Sequence, residues 1–556
     1  MSVAVSYPGV YIDEVPSQVR TIVGVPTSIT AFIGSAPRGE VDTPIHITSW
    51  GDFDRRFGGL SDADLMSYMV FQYFQNGGGE AEIVRVARRT ADGDDDTAAA
   101  AATLDLGNDV EIEAVSPGAW GSKLRARVTY VPKEGGGDPD SYNLVVRDTG
   151  TGTEESFLNV QTAAGSPRAL SRVLAGSTLV RAGEGSDDTK MPDESAAAEA
   201  GQDPFADAAP EPAPPPDPDP DPPDPDPDPP DPDPDPDAAP AEPPMFIQGE
   251  GGDNGSALDN GELKGEQGDK TGIYALEKLG NRLFNLMCVA PVDAATDVDF
   301  YDEAAKFCLD HRAVLLVDPP TGWTDVGAAV TGGAALPVSG ANAKNAAIYF
   351  PRIDLLDDNG NVNRYPPSGA VAGVIARTDG QVGVWKAAAG TDASVASVRD
   401  LSVGLTNPEH GQLNPLGVNC IRNFPVIGTV VWGARTMRGA DQLADQWKYL
   451  PVRRTALFIE ESLYRGTQWV VFQPNDEPLW SSIRLNVGAF MNSLWRQGAF
   501  QGTTPDQAYV VKCDSENNPQ NDIDKGIVNI LVGFAPLKPA EFVVIHIQQL
   551  AGQIAT

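Results

Sequence analysis

The pattern of hydrophobic and polar positions separates the start of the chain from the folded regions that follow. Residues 1–24 hold only short β-type runs, and Pro8 and Pro16 interrupt them. Proline fixes φ and lacks the backbone N–H that a helix or a central strand requires. This segment is therefore predicted to be an extended N-terminal arm that cannot bury itself alone.

The next region, residues 25–100, carries the first strong helix signal. An apolar run at 65–74 follows a capping sequence and stops at Asn76, which three glycines follow. Capping residues before such a run and glycine after it predict a buried helix with a defined end. A short strand is predicted directly afterwards, at 81–87, so this region begins an α/β domain.

Residues 101–182 change to short runs in which apolar and polar positions alternate, separated by Gly, Pro and Asp. A period of two is typical of antiparallel strands with one buried face. We predict a small all-β domain, a β-sandwich inserted into the α/β domain.

Strands alternating with helices return in residues 255–415, beginning with a helix predicted at 273–280, and this alternation predicts a mostly parallel sheet. Residues 416–538 mix a strand at 429–437 and two long helices with a final strand at 526–537. This last region is predicted to be a compact α+β C-terminal domain.

The chain closes with residues 539–556, predicted to be a C-terminal arm with an exposed strand. Because successive side chains of a strand point to opposite faces, Val543, Ile545 and Ile547 share one face, and Phe542 and Val544 share the other. An unpaired strand of this kind can add to the sheet edge of a neighbouring molecule.

A low-complexity segment, residues 183–254, interrupts this organisation, and its centre is almost entirely Pro and Asp. Such a composition predicts a disordered, extended, solvated acidic insert. A docking tract for a proline-binding groove and a calcium-binding acidic comb are the functional alternatives.

Charge is concentrated in this insert. Residues 183–244 contain twenty acidic residues and one basic residue, Lys190, about half of the formal net charge of −38. The remainder is moderately acidic, and no Lys/Arg cluster is interleaved with aromatic residues. We therefore do not expect the chain to bind nucleic acid directly, because an acidic surface and the phosphate backbone repel each other.

The four cysteines (Cys288, Cys308, Cys420 and Cys513) form no CxxC pair and have no histidine at metal-site spacing. We interpret them as buried thiols of a reducing compartment and expect no metal site. No uninterrupted apolar run of about 18 residues occurs, so we expect a soluble chain made in the cytoplasm, without membrane insertion.

Catalytic motifs are absent although parallel sheets often carry enzymes. No GxSxG or HExxH sequence occurs, and Asp269 breaks the only run similar to a phosphate loop, at 265–271. Asp310, His311 and Asp318 stand at predicted element ends, but no serine partner is evident. The sequence therefore predicts neither an enzyme nor a cofactor site.

Several runs together resemble the tail sheath family of contractile phages and phage-derived injection systems, in one order along the chain. They are PGVYIDEV (8–15), GVPTSITAFIG (24–34), WGDFDRRFGG (50–59), FQNGGG (74–79), AVSPGAWG (114–121), AIYFP (347–351), PPSGAVAGVIARTD (366–379), VWGART (431–436) and PAEFVV (539–544). They span nearly all of the chain outside the Pro/Asp insert.

This resemblance implies an α/β multidomain fold whose central domain is subtilisin-like but structural in role. It implies a homo-oligomer of stacked six-subunit rings around an inner tube, with baseplate and tail-terminator or cap proteins as further partners. Neighbouring subunits would exchange arms, through Val10, Tyr11, Ile12 and Val15 at one end and residues 542–547 at the other. Such particles are assembled in the bacterial host cytoplasm and released by lysis.

The family places its C-terminal domain against the tube. The helix predicted at 481–498 carries Arg484 and Arg496 among apolar residues, and these two are candidate tube-facing residues. The alternative is a core helix with two solvated arginines.

Two rival functions remain as hypotheses. One is a divergent subtilisin-like peptidase that uses Asp310 or His311, and the other is a Pro-rich surface-binding protein that uses the insert.

Overall fold

The computed structural model describes residues 20–89, 97–132, 139–198, 201–206, 243–292, 298–335, 338–357 and 359–546. The chain divides into two compact units. Unit 1 comprises Met1–Ala36, Asp42–Val86 and Leu258–Thr556, and unit 2 comprises Pro37–Val41 and Ala87–Ala257.

The strands of the described residues are, in chain order, β1 (Thr30–Gly34), β2 (Ile45–Ile47), β3 (Ala81–Arg85), β4 (Thr103–Asp105), β5 (Glu111–Ala114), β6 (Leu124–Tyr130), β7 (Ser141–Asp148), β8 (Glu154–Gln161), β9 (Val180–Ala182), β10 (Ile247–Gln248), β11 (Leu286–Val289), β12 (Val314–Val317), β13 (Ala346–Phe350), β14 (Ile353–Leu356), β15 (Val362–Tyr365), β16 (Asp400–Leu401), β17 (Val418–Phe424), β18 (Gly428–Val431), β19 (Tyr509–Lys512) and β20 (Leu531–Phe534).

The α-helices of the same residues are α1 (Trp50–Phe57), α2 (Leu65–Gln75), α3 (Leu170–Val173), α4 (Asn260–Lys264), α5 (Val298–Asp310), α6 (Val326–Gly333), α7 (Ser368–Gln381), α8 (Asn407–Leu413), α9 (Leu450–Gly466), α10 (Glu477–Arg496), α11 (Pro505–Ala508) and α12 (Gln520–Ile523). The segment predicted as a helix at 273–280 is a 3₁₀-helix, Gly272–Leu279. Among the described residues, no helix combines the length and apolar character needed to span a membrane.

An eight-stranded sheet forms the centre of unit 1, in the order β18-β17-β13-β12-β11-β1-β3-β2. Its inner pairs are parallel, and the edge strands β18 and β2 run antiparallel. Two hydrophobic cores lie on its two faces, so that Phe32 of β1 belongs to one core while Ala31 and Ile33 belong to the other. Burial on both faces explains the continuous apolar runs in these strands.

Helix α2, predicted at 65–74, packs closely against α7. Small residues of α7 allow this approach: a Cβ on Gly369 would lie 2.1 Å from the Met69 backbone oxygen, and one on Gly373 would lie 2.4 Å from the Tyr73 backbone oxygen. Only glycine fits at such a backbone contact.

Unit 2 contains two antiparallel sheets, β10-β6-β7-β8 and β4-β5-β9, whose buried side chains form a single core. Alternation is clear in β6, where Leu124, Ala126 and Val128 are buried between more exposed neighbours. The predicted all-β boundaries, 101–182, are too narrow, because the compact unit also includes residues 87–100 and 183–257.

The prediction of disorder over 183–254 is wrong at its flanks. The backbone N–H groups of Asp193 and Ser195 donate to the Leu106 and Val128 carbonyl oxygens, and Phe205 is 4% exposed. Strand β10, near the end of the segment, pairs with β6. These hydrogen bonds, to β6 and to the residue that follows β4, order the two flanks although their composition is polar. Residues 207–242, the centre of the insert, lie outside the described residues.

The predicted domain boundary at residue 416 is also wrong. Strand β17 pairs in parallel with β13, and β18 pairs with β17, so residues 418–431 complete the central sheet. The strand predicted at 429–437 ends at Val431, and the one predicted at 526–537 is reduced to β20. Beyond the sheet, α9, α10 and the antiparallel pair β19–β20 share a separate core, which includes Ile483, Val487 and Met491.

Candidate assembly site

The C-terminal arm leaves the folded body as an exposed apolar segment. Phe542, Val543, Val544 and Ile545 are between 73% and 80% exposed, and residues 541–546 form no strand in the isolated chain. Among the described residues, no strand pairs with residues 541–546, and Phe542, Val543, Val544 and Ile545 are exposed on both faces of the segment. The other predicted arm residues, Val10, Tyr11, Ile12, Val15 and Ile547, lie outside the described residues.

The start of this arm is bound to the central body by an ion pair. Arg435, which is completely buried, donates from Nε to Glu541 Oε1 and from Nη2 to Glu541 Oε2, both at 2.7 Å. The Tyr449 hydroxyl donates to the same carboxylate at 3.1 Å. Two parallel hydrogen bonds between ionised groups give both strength and a fixed orientation.

The remaining donors of Arg435 are directed into the body. Its Nη1 donates to the carbonyl oxygens of Asn414 at 2.8 Å and Gly439 at 3.1 Å, and to Asp441 Oδ1 at 3.0 Å. Its backbone N–H donates to Asn419 Oδ1 at 2.7 Å, which ties it to β17. Burial, the largest single effect, lowers the pKa of Arg435, but the hydrogen bonds to Glu541 and the charges of Glu541 and Asp441 together outweigh it, so the net shift is upward.

A histidine lies in the same electrostatic environment. His410 of α8 has a buried Nε2 for which the described residues provide no hydrogen-bond partner. The pKa of His410 is lowered to about 4, mainly by burial and then by the charges of Arg422 and Arg435, whereas the charge of Glu541 raises it. The ring is therefore neutral near pH 7.

The last residues of the predicted N-terminal arm, residues 20–24, are packed on helices α9 and α10. The backbone N–H of Arg20 donates to Asn486 Oδ1 at 2.9 Å, and Ile22 is 6% exposed. A Cβ on Gly24 would lie 2.9 Å from Phe458 Cζ, so the backbone runs directly over that ring. The predicted arm, residues 1–24, thus ends in a packed segment at residues 20–24 because Ile22 joins the C-terminal core.

Strands β19 and β20 form a small two-stranded sheet, and just beyond the end of β20 Pro536 bridges to Phe500. They pair with each other, Tyr509 with Phe534 and Val511 with Val532, and no third strand joins them within the described residues. These four side chains face α10, whereas Val510 is 51% exposed on the other face. An isolated two-stranded sheet is only marginally stable, and its free edges are templates for added strands.

The two candidate tube-facing arginines have different environments on α10. Arg484 donates to the Cys513 carbonyl oxygen and to Glu477, so it is partly used within its own domain. Arg496 is exposed, at the end of a stripe with helical spacing. The other exposed members of that stripe are small or apolar, namely Pro478, Ser481, Leu485, Ala489 and Ser493.

The residues considered for catalysis do not assemble into a triad. His311 precedes β12 and Asp318 follows it, so they stand at opposite ends of the strand. Asp318 instead accepts hydrogen bonds from the Ser368 backbone N–H at 2.8 Å and from Ser368 Oγ at 2.6 Å. Ser368 is completely buried, so this hydroxyl is closed to substrate.

Asp310 is exposed at the end of α5, and His311 Nδ1 lies 2.9 Å from the Phe307 carbonyl oxygen, to which it donates. The four cysteines are buried and unpaired. Within the described ranges, no group of three or more His, Cys, Asp or Glu side chains could hold a metal ion.

The Arg435–Glu541 pair is the feature that the sequence analysis missed. Both residues stand in runs that resemble the sheath family, but their spacing of 106 positions carries no local signal. The available signal was a single arginine inside the apolar strand predicted at 429–437, since a buried cation needs an acidic partner. The sequence did not identify which acid.

Two family models match the chain. The phage tail sheath protein central domain matches residues 260–437, and the phage tail sheath C-terminal domain matches residues 443–549. Together the two matches cover just over half of the chain.

Curated relatives agree with these matches. The tail sheath protein of Vibrio phage KVP40 is 25% identical over 304 residues, which cover 49% of this chain and 43% of that protein. The tail sheath protein of Burkholderia phage BcepMu is 26% identical over 282 residues, which cover 49% of this chain and 57% of that protein. The chain therefore spans about half the length of the curated relatives it matches.

A similar fold is found in a solved structure, the helical sheath of the anti-feeding prophage in its contracted state. It has a TM-score of 0.55 and 21% identity, and the alignment covers 98% of this chain and 100% of that chain. At this identity the likeness concerns the fold, a mixed α/β architecture with several sheets.

Proposed function

The chain belongs to the phage tail sheath family, and from that premise we propose that it is a structural subunit of a contractile phage tail or tail-like injection system. It polymerises as stacked six-subunit rings around an inner tube and contracts to drive that tube through a target envelope. The observation that carries this proposal is the anchored C-terminal arm, whose four apolar residues are left largely exposed by the described part of the subunit.

Exchanged arms supply the contacts between subunits. The exposed segment of residues 542–545 has the same four-residue length as β19 and as β20. Added to a free edge of that sheet in a neighbouring subunit, the segment would gain main-chain hydrogen bonds and cover apolar side chains. The N-terminal residues Val10, Tyr11, Ile12 and Val15 would add a further strand in the same way.

Each folded region has a role in this assembly. The central sheet with its flanking helices is the subtilisin-like body, unit 2 is the inserted β-sandwich domain, and the Pro/Asp segment is an outward-facing insert. The stripe on α10 that ends at Arg496 faces the inner tube, because it is exposed and almost free of charge. Arg484 contributes less to this surface because it is held by Glu477.

Contraction is a change between two packings of the same subunit, with the energy stored at assembly and no nucleotide consumed. The burial of Ser368 and the separation of His311 from Asp318 support a structural role over a peptidase. Baseplate and terminator or cap proteins are the further partners.

The experiment compares purified full-length chains by negative-stain microscopy. The wild type should form long tubes or sleeves, and a Val543→Pro/Val544→Pro variant should not, because proline removes the donors that strand addition requires. The matched control is Val543→Thr/Val544→Thr, which keeps both donors and a high strand propensity and should still assemble. A wild type that stays monomeric under all conditions would rule out the proposal.

A further inference from the structure

The position at which the C-terminal arm leaves its own subunit is set by a specific contact. From β20 the chain continues to the body and meets it at Glu541, and the next four residues are exposed. Before this point, the Ala535 backbone N–H donates to the Ala508 carbonyl oxygen at 2.8 Å. The Glu541 carboxylate therefore separates a held segment from a projecting one.

The receptor for this carboxylate is rigid. Arg435 is fixed through its backbone to Asn419, and the Asn419 Nδ2 donates to the carbonyl oxygens of Arg435 at 2.8 Å and of Ile348 at 3.1 Å. Asn419 and Ile348 belong to neighbouring parallel strands of the central sheet. The guanidinium thus holds Glu541 from a part of the fold that cannot shift independently of the sheet.

Charge makes the contact selective for an ionised carboxylate. Arg435 is inaccessible to water, so its charge must be compensated by protein groups, and Asp441 supplies only one oxygen at 3.0 Å. Glu541 supplies both of its oxygens, and Lys448 Nζ lies 3.9 Å from Glu541 Oε2. Glutamine at this position would keep the shape but lose the charge and one of the two acceptors.

We propose that Arg435 and Glu541 are the positioning pair of the exchanged C-terminal arm, holding its first residue to the central sheet so that the apolar segment projects from a fixed point. This rests on the proposed function, since it assigns the residues that orient the same assembly contact. Without the pair, the free segment begins nearer to Ala535 and is longer. A longer, less oriented tether lowers the effective concentration of the arm at the sheet edge of the neighbouring subunit. It also raises the conformational entropy that the arm loses on binding.

The test uses Glu541→Gln in the full-length chain. Glutamine leaves Asp441 and two backbone carbonyls as partners of Arg435, so the guanidinium keeps part of its compensation. The matched control is Glu154→Gln, which removes another Arg–Glu pair, the one with Arg147 in unit 2, without touching the arm. Arg435→Lys is a second variant, because lysine keeps the charge but cannot form the two parallel hydrogen bonds.

Two readouts are needed. The first is the mobility of a nitroxide label on Ile545→Cys in the monomer, where the four native cysteines are buried and react slowly. The second is the protein concentration at which half of the chain is assembled. Glu541→Gln and Arg435→Lys should raise label mobility and raise that concentration about tenfold or more, whereas Glu154→Gln should change neither.

Unchanged label mobility in Glu541→Gln would overturn the anchor. Increased mobility with unchanged assembly would overturn its positioning role. If the wild type itself fails to assemble, the proposed function falls, while the label mobility of the monomer still decides whether the anchor exists.

Discussion

The hydroxyl of Ser368 donates to the carboxylate of Asp318 at 2.6 Å, with both residues buried at the carboxyl end of β12. Burial raises the pKa of Asp318 to about 6, although the hydrogen bonds from Ser368 and the charge of Arg352 lower it. An acid whose folded-state pKa exceeds its unfolded value binds its proton more tightly in the folded chain. Its contribution to stability is therefore present at low pH and is lost as pH rises through about 4 to 6.

The first prediction follows for Asp318→Asn, which has no proton to lose at this position. Between pH 4 and pH 7, the free energy of unfolding of the wild type should fall relative to that of the variant by about 3 kcal/mol, the equivalent of roughly two pKa units. Urea unfolding of both chains across this range measures the difference. A difference that is independent of pH would contradict the raised pKa.

His410 should show the opposite dependence on pH. Its pKa is lowered to about 4, mainly by burial and then by Arg422 and Arg435, against the opposing charge of Glu541. The neutral form is therefore favoured in the fold, and stability is lost as pH falls below about 6.5. His410→Asn should lose less stability than the wild type between pH 6.5 and pH 4. Parallel losses in the two chains would show that His410 is not responsible.

The backbone of Val426 is strained, and its side chain contributes no stabilisation through burial. It stands at the tip of the β17–β18 hairpin with φ +76°, a conformation that disfavours β-branched residues, and its side chain is fully exposed. Val426→Gly should raise the free energy of unfolding by about 1 kcal/mol, measured by urea unfolding. Its neighbour provides the control: Ile427 does not have a positive φ, so Ile427→Gly should be neutral or destabilising. A destabilised Val426→Gly chain would contradict the argument from strain.

Two glycines of the same helix, α7, should respond oppositely to alanine. At Gly369 the new Cβ would lie 2.1 Å from the Met69 backbone oxygen, whereas at Gly380 it would meet nothing within 4 Å. Gly369→Ala should destabilise by about 2 kcal/mol or more because α2 and α7 must separate. Gly380→Ala should stabilise by roughly 0.5–1 kcal/mol through helix propensity. Equal effects at the two sites would contradict the α2–α7 contact.

Local patterns allowed several elements to be predicted. The period and end signals of 65–74 located α2 within one residue, and the alternation of strands and helices predicted a mostly parallel sheet. These features depend on neighbouring residues, whose spacing is visible in the sequence.

The features that the sequence analysis missed depend on partners that are distant along the chain. Strand β17 was assigned to the C-terminal domain because its place beside β13 depends on a pairing across about seventy residues. The flanks of the acidic insert were predicted as disordered because their hydrogen bonds are made to β6 and to the turn after β4. The Arg435–Glu541 pair was missed for the same reason, because neither charged residue by itself indicates a distant partner in the sequence.

The central claim is that the arm of one subunit binds the small sheet of another, and cysteine cross-linking between differently substituted chains tests it most directly. Chains with Ile545→Cys are mixed with chains carrying Val510→Cys or Leu531→Cys, oxidised, and analysed by non-reducing electrophoresis. Leu158→Cys is the control acceptor because it is 59% exposed and belongs to unit 2, not to the β19–β20 sheet.

The account predicts covalent heterodimers with Val510→Cys or Leu531→Cys, only under conditions in which polymers form, and none with Leu158→Cys. Polymers that yield no such cross-link, or that yield it equally with Leu158→Cys, would contradict it.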